Sequence, residues 1–350
     1  MKIMEWEMEP GDAVAFKETN MTTEPRPKRY PPPEFPPRRT PAFATTPPAI
    51  FPVLLGLCGL AIGLRAGMSW LNLPTAPSDL AAGVAVALWT FGVLAYGLKL
   101  RRRPGVILED MKVLPSRAGL AAASMGGMTS AALLVPYAAR LAMVLLMASL
   151  LAHGVLALLT LRVLATLPAE ARAVNPGMHL NFVGFIVAAP AALALGQGGL
   201  AQALFWITLP LAVAIWSLSG RQLWQRIPPA PLRPMLVIHL APAALFSIVA
   251  TGLDMGGFAM VFQVAMVLIL VALGAGLRWI TAAGFSALWG AFTFPLTAAA
   301  TALLGQGGLL AWAGIALLAA AVLVVPALAF KVLKLWAGGQ LATKTNAAVA

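Results

Sequence analysis

The sequence predicts an all-α polytopic membrane protein with ten transmembrane helices arranged as five hairpins. Three observations predict it. Of the 350 residues, 60% are hydrophobic and only 10% are charged, whereas about a quarter of the residues of a soluble domain are charged. From residue 49 onward, apolar runs recur at about 20 residues each, the length needed to cross roughly 30 Å of hydrocarbon as helix. Finally, Lys and Arg gather in alternate connections between those runs. The mean hydropathy of +0.85 excludes a soluble globular or disordered protein. A β-barrel is excluded because its strands would alternate apolar and polar residues.

Residues 1–48 are expected to form a disordered, Pro-rich cytoplasmic tail. The stretch holds eleven prolines, including Pro31-Pro32-Pro33 and Pro36-Pro37, and proline locks φ and removes a donor. It lacks the short basic start and apolar run of a cleaved signal peptide, and Met21 offers an alternative initiation site. The pore domain is expected over 49–336. Its ten runs lie at 49–70, 81–100, 116–136, 139–164, 176–196, 200–220, 234–253, 256–277, 284–304 and 308–335. Residues 337–350 are expected to be a short cytoplasmic tail.

The net charge of +12 belongs entirely to the apolar part. The first 47 residues balance seven bases with seven acids, leaving 17 bases against 5 acids beyond them. Fifteen of these bases fall in the connections after even-numbered runs or at the chain end, and only Arg65 and Arg140 fall near the other side. By the positive-inside rule both termini are expected in the cytoplasm, and the expected location is the inner (plasma) membrane. Nucleic-acid binding is not expected, since the bases sit between apolar runs and not on a soluble face.

The opposite connections are short and rich in Gly and Pro, and Gly-Gln-Gly-Gly-Leu occurs twice, at 196–200 and 305–309. This is a quasi-repeat of helical hairpins. The odd-numbered runs carry the small and helix-perturbing residues. Examples are Gly59, Gly63 and Gly67 in the first, and Pro52, Pro190, Pro242 and Pro295 across four of the five. Small residues let backbones approach closely, and prolines kink helices. Either close packing or a kinked inner ring around an aqueous path explains the pattern.

No chemistry-bearing constellation is present. The single Cys58 and three dispersed histidines allow no multi-thiolate or His-rich metal site. No cofactor is implied, and no catalytic motif points to an enzyme. The spans hold almost no ionisable residue, which argues against cation pumping and ion-coupled transport. A lumen without fixed negative charge, opening on a positive rim, suits small inorganic or organic anions. His153 falls in run 4; His179 and His239 fall near the basic ends of runs 5 and 7, and each reads as a packed residue.

The run Leu288-Trp289-Gly290-Ala291-Phe292-Thr293-Phe294-Pro295-Leu296-Thr297 resembles the pore-helix motif of the tellurite-resistance / C4-dicarboxylate transporter / slow-type anion channel family, the TehA-like proteins. Phe51-Pro52-Val53-Leu54-Leu55-Gly56-Leu57 is similar to the family's opening segment, and Leu240-Ala241-Pro242-Ala243 to a family Leu-Ala-Pro-Ala. Gly97 to Leu100 also resembles the family pattern. Some bacterial members have one residue fewer between Trp289 and Phe292, so the comparison is anchored on Phe292-Thr293-Phe294. The first half of run 5, with His179 and Asn181, departs from the family pattern.

The resemblance implies a homotrimer in the lipid bilayer, each protomer with its own pore of five inner helices within five outer ones. It implies that Phe294 closes the pore. Pro295 lacks an N–H and crowds the carbonyl of Ala291, so the sequence predicts a bend beside Phe294. Gly56, Pro52, Pro190, Pro242, Phe292, Thr293 and Pro295 are the expected pore-lining or helix-kinking positions. The expected activity is gated anion permeation. A carrier or exporter of tellurite or C4-dicarboxylates is the first alternative, and a membrane scaffold or sensor the second.

Overall fold

The computed structural model describes residues 41–168 and 172–350, and among these there are helices and no strands. The expectation of a disordered leader therefore lies largely outside the described residues. Thirteen α-helices follow in order: α1 Phe51–Trp70, α2 Ala76–Arg102, α3 Val106–Lys112, α4 Leu114–Leu134, α5 Ala139–Thr166, α6 Ala189–Ala194, α7 Gly198–Gln225, α8 Leu240–Gly252, α9 Gly256–Ala275, α10 Leu277–Ile280, α11 Thr293–Leu304, α12 Gly308–Ala337 and α13 Gln340–Lys344. Eight helical stretches are long and apolar enough to cross a membrane. The two other expected spans take different forms. Helix α4 is full length but rich in Ala, Gly and Ser, which lowers its hydropathy. Residues His179–Ala194 form a shorter composite of π, 3-10 and α turns.

Burial separates the stretches into two sets. Pro48–Trp70, Ala230–Gly252 and Ala287–Leu304 are 67%, 72% and 61% buried, against 17–33% for the stretches containing α2, α5, α7, α9 and α12. Helix α4, with its serines and glycines inside, and the His179–Ala194 composite join the buried set, making five. The less buried helices turn Leu, Val, Ile and Trp outward, as in Leu151, Leu158, Val264 and Leu323. Lipid is as apolar as these side chains and does not drive them inward. Consecutive stretches pack together: α1 on α2, α4 on α5, α6 on α7, α8 on α9 and α11 on α12.

One close approach is a seam between α1 and α11. A β-carbon added at Gly56 would meet the Thr293 hydroxyl and β-carbon, at Gly59 the Thr297 hydroxyl and the Phe294 ring, and at Gly63 the Thr301 hydroxyl and Leu318. Glycines spaced three or four apart line one helix face, and here that face meets threonines spaced by four. Each threonine hydroxyl donates to a carbonyl near its own turn: Thr293 to Gly290 O at 2.8 Å, Thr297 to Phe294 O at 2.9 Å and Thr301 to Thr297 O at 2.9 Å. The Thr293 hydroxyl shares its one proton between Gly290 O and Pro52 O, the latter across the seam at 2.9 Å.

Four prolines of the buried stretches share one placement, while Pro234 lies inside the 3-10 turn Ala230–His239. The 3-10 turns Pro48–Ile50, Gly184–Ala188, Ala230–His239 and Ala287–Phe292 each pass directly into an α-helix. Pro52, Pro190, Pro242 and Pro295 fall in the first turn of α1, α6, α8 and α11 respectively. A first-turn residue does not need its N–H for the α ladder. The expected kink beside Phe294 thus takes the form of a change of helix type and not a broken α-helix.

The basic end is tied by a buried ion pair. Lys99 Nζ lies 2.8 Å from Asp110 Oδ2, both side chains fully buried, and donates to Thr46 O at 3.0 Å. Asp110 also accepts from Tyr96 Oη at 3.0 Å and from the Ala348 backbone at 2.8 Å. Ala350 N donates to Ala44 O at 3.0 Å. The leader expected to run to residue 48 is therefore already packed by Ala44, and the C-terminal residues are docked on it. The protein is a multi-pass membrane protein. Asp110→Ala is expected to destabilise it by about 3–5 kcal/mol, because it strands a buried ammonium. Lys99→Met/Asp110→Asn is expected to melt at a higher temperature than Asp110→Ala in detergent, having no unpaired charge.

Candidate functional site

Three cavities are enclosed by the buried stretches. The first, about 60 Å³, lies toward the basic end and takes walls from all five, among them Pro52, Pro115, Leu180, Met235 and Phe294. The second, about 150 Å³, lies one to two turns further along and again uses all five, including Gly59, Thr129, Pro190, Leu245 and Phe294. The third, about 490 Å³, lies at the short connections, between Ser69, Trp70, Thr251, Thr301 and Gln306. No wall residue of the three carries a charge.

Phe294 is the one residue common to the walls of the first and second cavities. Ile248 and Thr301 are common to the second and third. The Phe294 side chain is 6% exposed and sits over the bare face of Gly59. Two residues earlier, Phe292 points elsewhere, since two helical residues turn a side chain by roughly 200°. It lines a lateral crevice with Trp289, Leu296 and residues of α9 and α12.

The other expected positions divide as follows. Pro52 and Pro295 are on the first cavity and Pro190 on the second. Pro242 lines a side pocket of about 20 Å³. Gly56 and Thr293 belong to the α1–α11 seam and appear on none of these walls. Phe292, expected as a pore-lining or helix-kinking position, lines the crevice. Sequence reasoning missed Pro115, in the first turn of α4, although its place just before run 3 repeats the pattern of the other four prolines. It also missed Met125, Leu180 and Ile238, generic apolar residues that carry no sequence signal.

The side pocket brings together what the sequence separates. His179, at its wall, has Nε2 3.0 Å from His239 Nδ1. His239 Nε2 is 3.0 Å from Ser219 Oγ. The pocket shares Met125, Leu180, Ile238 and Ala241 with the first cavity and Val187 and Leu245 with the second. No local spacing announces a pair sixty residues apart.

A family model described as voltage-dependent anion channel (SLAC1) matches residues 45–333. The chain belongs to the SLAC1 family. No curated protein matches it. As a SLAC1 member the chain is part of a family of anion channels and transporters, not enzymes, and the matched span contains every cavity wall named above. Among the described residues no three His, Cys, Asp or Glu side chains are grouped to hold a metal ion. Gly56→Ala is expected to cost about 1–3 kcal/mol through overpacking on Thr293. Gly83→Ala, inside α2 where a β-carbon meets open space, is expected to hold or slightly raise the melting temperature, because alanine is the better helix former.

Proposed function

We propose that this protein is a gated anion channel whose lumen is stoppered by the ring of Phe294. The single observation that carries the reading is the placement of that ring on the walls of both central cavities. In this reading the ten expected spans form five hairpins, the odd ones around the lumen and the even ones around them. The division between well-buried and poorly buried stretches supports it. The chargeless walls support anion permeation without ion coupling, and favour a channel over an ion-coupled carrier of tellurite or C4-dicarboxylates. Constrictions lined by apolar side chains close by excluding water. Pro52, Pro115, Pro190, Pro242 and Pro295 shape the lumen, and Thr293 holds the plug-bearing turn to Pro52 O. The basic end faces the cytoplasm of an inner-membrane protein, and the assembly is a homotrimer with one pore per protomer.

Phe294→Ala is expected to raise anion conductance in oocytes or liposomes by about tenfold or more, since a closing barrier of about 1.4 kcal/mol already sets a tenfold difference. A correctly folded Phe294→Ala protein with wild-type currents would sink the plug. Saturable flux without unitary currents would turn the reading toward a carrier.

A further inference from the structure

We infer that the side pocket at His179 is a coordination site for a small inorganic anion, served by an uncharged imidazole N–H. The inference rests on the anion-channel reading above for its role, but not for its test.

The polarity of the chain follows from hydrogen-bond accounting. Ser219 Oγ has His239 Nε2 as its partner among the described residues. A hydroxyl must place its proton on an acceptor, so the serine donates to His239 Nε2. A neutral imidazole carries one N–H and one lone pair. His239 therefore holds its proton on Nδ1 and donates it to His179 Nε2. His179 must then hold its own proton on Nδ1, and that atom is buried without a partner. The opposite polarity would orphan two groups, the serine O–H and the His179 Nδ1 lone pair. Buried polar groups are rarely left unmatched, and the arrangement with one orphan is preferred.

The result is a lone N–H donor on a residue 2% exposed, at the wall of a pocket of about 20 Å³ that adjoins both central cavities. An orphaned donor calls for an acceptor. The hydroxyls on the second cavity do not compete for that acceptor, because Thr129 and Thr301 already donate to backbone carbonyls. The pocket has room for about one water-sized body, which suits a halide and excludes a dicarboxylate. Trp216 holds His239 in place by donating to its carbonyl at 3.2 Å. The chain supplies a donor with no fixed charge, so a bound anion is held without being trapped by a full cation.

The test uses the wild-type protein, whose three histidines give three pairs of ring-nitrogen signals. With 15N-histidine label in nanodiscs, His179 is expected to be protonated at Nδ1. Its signal should shift on titration with chloride or bromide and not with gluconate, while His153 stays still; His179→Phe identifies the signal. In liposomes carrying Phe294→Ala, adding His179→Phe is expected to lower chloride permeability relative to gluconate by about tenfold, the worth of one hydrogen bond to a charged group. An unprotonated Nδ1, no halide shift, or an equal gluconate shift overturns the site. A halide shift without anion flux in any variant upholds the site and defeats the channel reading instead.

Discussion

A proline inside hydrocarbon has no water to repair its missing N–H, and the five prolines on the cavity walls meet this constraint in one way, unlike Pro210 and Pro326, which sit inside α7 and α12. Lipid-facing backbone must satisfy its own polar groups. The five prolines Pro52, Pro115, Pro190, Pro242 and Pro295 are accordingly confined to first turns of α-helices, where no ladder bond is lost. In four of the five stretches, a 3-10 turn brings the chain to that point. These prolines also stand on the cavity walls.

The α1–α11 seam turns that geometry into a defined position for one ring. Gly56 admits Thr293, whose hydroxyl bridges to Pro52 O. The neighbouring Gly59 then leaves space for Phe294. The proposed plug is thus positioned by backbone approach and a single polar tie. Its surroundings contain no charge, so its effect on permeation would come from excluding water. The His179 pocket supplies a polar contact of a different kind, a dipole in place of an ion, within walls that are otherwise apolar.

The basic end is held in another way. There, Lys99 and Asp110 are removed from water entirely, and the cluster is tolerable because every partner is present: Thr46 O, Tyr96 Oη and the Ala348 backbone. The chain's two described ends meet on this pair. It joins the entry to α1, and so the Pro52 wall, to Ala348.

Much was legible in the sequence because lipid imposes simple rules on it. Run length, the placement of Lys and Arg, and the small residues of Gly59-x-x-x-Gly63-x-x-x-Gly67 determined helices, connections and a close-packed face without any knowledge of contacts. The motif from Leu288 to Thr297 determined which stretch to watch. Only the tertiary structure put Phe294 on the walls of both central cavities and Phe292 in the lateral crevice, since helix phase depends on where the 3-10 turn ends. It alone paired His179 with His239 and Lys99 with Asp110, because hydrogen bonds between distant residues are set by packing and leave no period in the chain.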